Sequence, residues 1–164
     1  MRRSGVALAA AACLTALAGC GGAARPPDSP AADREWATNA KAVIRILLRD
    51  LDLSTSGGAT VAAARHSLHD GSTLYTILVA YTDFGGCDHM VASTGPPPPR
   101  FARTDRALRA ACVPFERAAD LFGRATRSSN AHTLLAATRT ALKGSPPLEQ
   151  ARLDLAAAQS AASG

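Results

Sequence analysis

The chain has 164 residues and a formal net charge of +5, with 47% apolar residues but only 4% aromatic. That length suits one domain with its own core, and the commonest residue, alanine, favours helix while burying little area per side chain. A pI near 9.5 would suit a nucleic-acid binder, yet no stacking aromatics interleave with the arginines, which argues against that class and leaves anionic surfaces as the natural neighbours.

The first segment reads as a targeting signal. Arg2 and Arg3 form a positive start, and residues 6–18 follow as an apolar run too short to span a bilayer. Next comes Leu17-Ala18-Gly19-Cys20. This resembles the lipobox of bacterial lipoproteins: an aliphatic residue, two small residues, then a cysteine. The resemblance implies cleavage between Gly19 and Cys20 and a diacylglycerol on the Cys20 thiol, with signal peptide 1–19 removed. It also implies a protein held on the extracytoplasmic side of the cell membrane, its covalent acyl lipid the sole prosthetic group. Residues 20–32, with Pro26, Pro27 and Pro30, have no apolar periodicity and read as a lipidated N-terminus and flexible spacer.

The body, 33–160, reads as helical. Asp33 is placed to cap a first helix over 33–53, in which Trp36, Ala40, Val43, Leu47 and Leu51 recur at helical spacing. Residues 54–58, three hydroxyl residues and two glycines, signal a turn. A second segment from about Ala59 carries Val61, Ala64, Leu68, Gly71, Tyr75 and Leu78 on one beat, with a kink or close helix contact expected at Gly71. Residues 74–81 are rich in β-formers, so a strand is the alternative there, but no second strand candidate exists to pair with it. Gly85-Gly86 ends the element. Gly95 and Pro96 to Pro99 form a stiff link.

A third helix over 100–127 has Phe101, Leu108, Cys112, Phe115, Ala119 and Phe122 as its stripe, with a bend expected at Pro114. A fourth carries Leu134, Leu135, Thr138 and Leu142, stops or kinks at 144–147 and resumes through Leu148, Leu153 and Leu155. Residues 161–164 are expected to fray. The resulting expectation is an all-α fold: an up-and-down bundle of about four amphipathic helices. In general arrangement this resembles the small helical lipoproteins of high-GC Gram-positive bacteria, a likeness that implies no activity.

With Cys20 and the leader's Cys13 assigned, Cys87 and Cys112 remain, and in an exported protein they are expected to form a disulfide. The competing reading makes Cys87 of Gly85-Gly86-Cys87-Asp88-His89 a nucleophile, although no family signature supports it. His66, His69 and Asp70 stand at i, i+3 and i+4, a spacing that suits a metal, with His89 as a distant fourth ligand. Without the glutamate of a HExxH motif, a solvated patch is the stronger expectation, so no metal site and no catalytic residue is assigned. Arg100, Arg103, Arg106 and Arg109 form a band that reads as a solvated face, with anion binding as the alternative. The functional expectation is an exported, lipid-anchored, non-enzymatic helical bundle acting as an interaction or structural component of the cell envelope. Its partners would be the membrane, through the lipid, and an envelope protein or anionic polymer. The alternative is a metal- or small-ligand-binding lipoprotein.

Overall fold

In the computed structural model, residues 29–161 are described. Among them are seven α-helices, two short 3-10 turns and no strand. The Gly19–Cys20 cut, the lipidation site and most of the expected spacer lie outside the described residues.

Helix α1 spans Pro30–Gly58, and Ser29 caps it by accepting a hydrogen bond from the Ala32 amide at 3.1 Å. The cap is thus Ser29 and not Asp33, and Pro30 to Ala32, expected in the spacer, form the first turn. Proline fits there because its missing N–H would be unpaired anyway. Trp36, Ala40, Val43, Leu47 and Leu51 are buried, as their spacing predicts. The expected turn at 54–58 is instead the end of the same helix. Hydroxyls of Ser54 and Thr55 donate to the Leu51 carbonyl, keeping their polar atoms on the helix. The glycines serve close packing rather than a turn. A Cβ on Gly57 would meet Ile77 Cδ1 at 2.9 Å, and one on Gly58 would overlap Thr138 Oγ1.

The second expected segment is two helices, α2 (Val61–His69) and α3 (Gly71–Gly85). Asp70 divides them: its extended backbone ends α2, and its side chain accepts from the Thr73 amide at 2.9 Å to begin α3. A Cβ on Gly71 would meet nothing within 4 Å, so the break is a cap and not a close helix contact. Because the helical phase restarts here, the expected stripe fails after Leu68. The buried face of α3 is Ile77, Ala80, Tyr81 and Phe84.

Helix α4 (Cys87–Ser93), which the sequence does not foreshadow, follows Gly86. After the proline loop a 3-10 turn (Pro99–Phe101) leads into α5 (Ala102–Ser128), which runs through Pro114 without interruption. Asn130 caps α6 (Ala131–Ala141), and a 3-10 turn (Leu142–Gly144) leads into α7 (Ser145–Ser160). Gly144 has a steric role there, since a Cβ would lie 2.6 Å from Phe115 Cε1.

The helices pack into one all-α body. α5 runs through its centre against α3, α4, α6 and α7, while α1 packs on α3, α7, α2 and α6. Where α3 meets α5, four rings form a continuous seam. Phe84 stacks on Phe115 at 4.5 Å and Tyr81 on Phe122 at 4.4 Å, with Tyr81 and Phe84 edge to face at 5.5 Å. Offset or perpendicular ring pairs of this kind add to simple area burial. Burial pushes the Tyr81 hydroxyl up to about 12, and it shares a 3.1 Å hydrogen bond with Thr138 Oγ1.

Candidate functional site

Cys87, the first residue of α4, and Cys112, in the middle of α5, are joined as a disulfide with Cα atoms 5.3 Å apart. Both are fully buried. The bridge fastens α4 and the proline loop to the central helix, and it occupies the sulfur that the nucleophile reading of Cys87 needs. Beside it the Asp88 amide donates to Glu116 Oε1 at 3.2 Å, a second tie between the same helices.

His66 and His69 are exposed on α2, and Asp70 follows them. The Asp70 carboxylate is already engaged: Oδ2 accepts from the Thr73 hydroxyl, the Thr73 amide and Ser72 Oγ. Those bonds, the Thr73 hydroxyl foremost, hold its pKa down at about 2. The cluster therefore shapes the α2–α3 corner. Among the described residues no group of three or more His, Cys, Asp or Glu is placed to hold a metal.

The arginine band is largely neutralised in place. Arg100 meets Asp33 at 2.5 Å, Arg109 meets Asp105 at 2.9 Å, and Arg103 reaches Asp154 at 4.0 Å. Arg106 is exposed. Two of the three carboxylates come from α1 and α7, so the pairs join helices distant in sequence.

Two features escape sequence reasoning. The first is a carboxyl pair between α1 and α3. Asp50 is fully buried, and its Oδ1 accepts from Arg49 Nε at 2.8 Å. Arg49 also reaches Asp83 Oδ2 at 3.2 Å, while Asp50 Oδ2 has no hydrogen-bond partner among the described residues. Burial raises the Asp50 pKa to about 6, against the pull of Arg49 and with help from the Asp83 carboxylate. Only the folded chain brings these two acids together.

The second is the outer face of α3. From Gly71 to Thr82 no residue is charged. Tyr75, Leu78 and Val79 stand there 68%, 46% and 37% exposed. At i, i+3 and i+4 they form one patch, whereas scattered single apolar residues are ordinary on a surface. The β-former run hinted at it, since a helix made of such residues has no polar side to turn outward. No protein-family model, curated protein or solved structure matches this chain.

Proposed function

We propose that this protein is an exported, lipid-anchored, non-enzymatic helical bundle that acts as an interaction component of the cell envelope. The tether rests on the ordered leader and on Leu17-Ala18-Gly19-Cys20. The interaction role is carried by one observation, the exposed and uncharged face of α3 at Tyr75, Leu78 and Val79. Apolar side chains grouped in this way lose hydration when another surface covers them, which is a driving force for association. The buried Cys87–Cys112 bridge suits an oxidising compartment. The metal-binding alternative gains no support at His66 and His69, because Asp70 is committed to its caps.

The test uses the full chain in its native cells, with a photo-crosslinking residue at position 75. Wild-type protein is expected to incorporate an acyl label, fractionate with membranes and give a discrete crosslinked adduct. Cys20→Ser should lose the label and the membrane fraction, and Leu78→Glu should lose the adduct while melting as wild type does. A Cys20→Ser protein that is still processed and membrane-bound would overturn the tether. Absence of any adduct from intact membranes would overturn the interaction role.

A further inference from the structure

A groove of about 300 Å³ lies between α1 and α7. Ile44, Leu48, Leu155 and Ala156 line its floor, and Lys41, Arg45 and Arg152 stand on its rim. Gln159 belongs both to this groove and to a neighbouring cleft of about 450 Å³ that reaches Pro30. On the α1 side the two share one helical stripe, running from Pro30 through Ala37 and Lys41 to Leu48. At 1.5 Å per residue that stripe is about 27 Å long. Its near end is where α1 receives the chain from Cys20, ten residues earlier and so at most about 35 Å away when fully extended.

In the cleft near Pro30, Arg100 is neutralised by Asp33, while the exposed Arg34 meets no carboxylate within ion-pair distance among the described residues. In the groove, Arg152 pairs with Glu149 at 2.5 Å, but Lys41 and Arg45 meet no carboxylate within ion-pair distance among the described residues. They sit one turn apart on α1, where like charges repel. Two uncompensated cations above an apolar floor match an anionic head joined to a hydrocarbon chain. A free anion would leave the aliphatic side chains unused, and a tether only ten residues before α1 favours the membrane over an acidic peptide as the surface that meets them.

We propose that the α1–α7 groove docks the bundle on the anionic membrane that carries its tether, Lys41 and Arg45 meeting lipid phosphates while an acyl chain lies along Leu48 and Ala156, above the buried Ile44 and Leu155. This rests on the lipid-anchor reading above. Long basic side chains suit the role, because their stems follow apolar surface while their charges reach the headgroups. Basic residues near an anionic leaflet are attracted to it over about a Debye length.

The test adds a reporter tryptophan, Ala156→Trp, at an exposed floor position. The chain's single native tryptophan, Trp36, is buried and supplies the background. The full lipidated protein is mixed with vesicles brominated on the acyl chains, made either of phosphatidylcholine alone or of phosphatidylcholine with phosphatidylglycerol. Flotation on the phosphatidylcholine vesicles reports the tether by itself, and failure to float there would count against the lipid anchor, not the groove. Docking predicts quenching of the reporter on phosphatidylglycerol vesicles only, lost in Lys41→Glu/Arg45→Glu and weakened in Lys41→Gln/Arg45→Gln. Both doubles change exposed positions, and unchanged melting would show that they fold. No quenching on phosphatidylglycerol, equal quenching on both vesicles, or quenching that survives the charge reversal would each overturn the proposal. So would binding of soluble polyphosphate without quenching, which would assign the cations to an anionic polymer.

Discussion

The two faces of α3 are made of similar residues and live in opposite surroundings. Inward, Tyr81 stacks on Phe122 and Phe84 on Phe115 of α5, and the disulfide closes over the next turn. Outward, Tyr75, Leu78 and Val79 are left exposed, with no element among the described residues covering them. Aromatic and aliphatic content alone does not decide which face of a helix becomes core. The decision falls to which neighbour offers a complementary surface, here the phenylalanines of α5.

That contrast can be broken or sharpened by substitution. The largest effect is expected at the seam. Phe115→Ala should cost about 3–5 kcal/mol in urea unfolding, because the ring is fully buried, stacked on Phe84 and pressed by Gly144. A loss below about 1 kcal/mol would mean that the seam collapses readily and the two faces differ less than the packing implies. Next comes the bridge. Replacing both Cys87 and Cys112 by serine opens a loop with a sequence separation of 25. The chain-entropy model then gives a loss of about 3.5 kcal/mol, and hydrogen exchange should show α4 and the proline loop opening first.

A smaller, pH-dependent effect is expected at Asp50 of α1, where that helix meets Asp83 of α3. Asp50 keeps its proton up to about pH 6 in the folded chain, against roughly 4 for an unfolded aspartate. Between those values the folded state binds more protons, so stability falls as pH rises through the window and levels off above it. Asp50→Asn should flatten that fall and gain about 1–2 kcal/mol at pH 7, read as a thermal midpoint followed from pH 4 to 7. Leu78→Glu, the partner-blocking change, should be the mildest, within about 0.5 kcal/mol of wild type, as expected for a surface site.

Much of the helical body was legible because its signals are local. The α1 stripe from Trp36 to Leu51 is buried where its spacing put it, as are Phe101 in the turn before α5 and Leu108, Cys112, Phe115 and Phe122 within it, while Ala119 of the same expected stripe is only half-buried. Cysteine elimination found the bridged pair. What failed depended on single caps or on distant partners. A lone Asp70 reset the phase between α2 and α3, so Tyr75 and Leu78, expected on the core side, face outward. Gly57 and Gly58 resemble a turn until Ile77 and Thr138 are known to press on them. Asp50 looks like any helix-surface carboxylate until Asp83 arrives from α3. Nothing in either neighbourhood's sequence announces the other.

Asp70 has one more consequence. A loop of several residues between α2 and α3 would let the second helix swivel, and a partner binding it would have to freeze that motion. With a single residue closing one helix and opening the next, the corner has almost no slack. The side of α3 bearing Tyr75, Leu78 and Val79 is therefore presented at a set angle to the rest of the body, ready-shaped before anything touches it, and whatever lands there spends little of its affinity on arranging the surface.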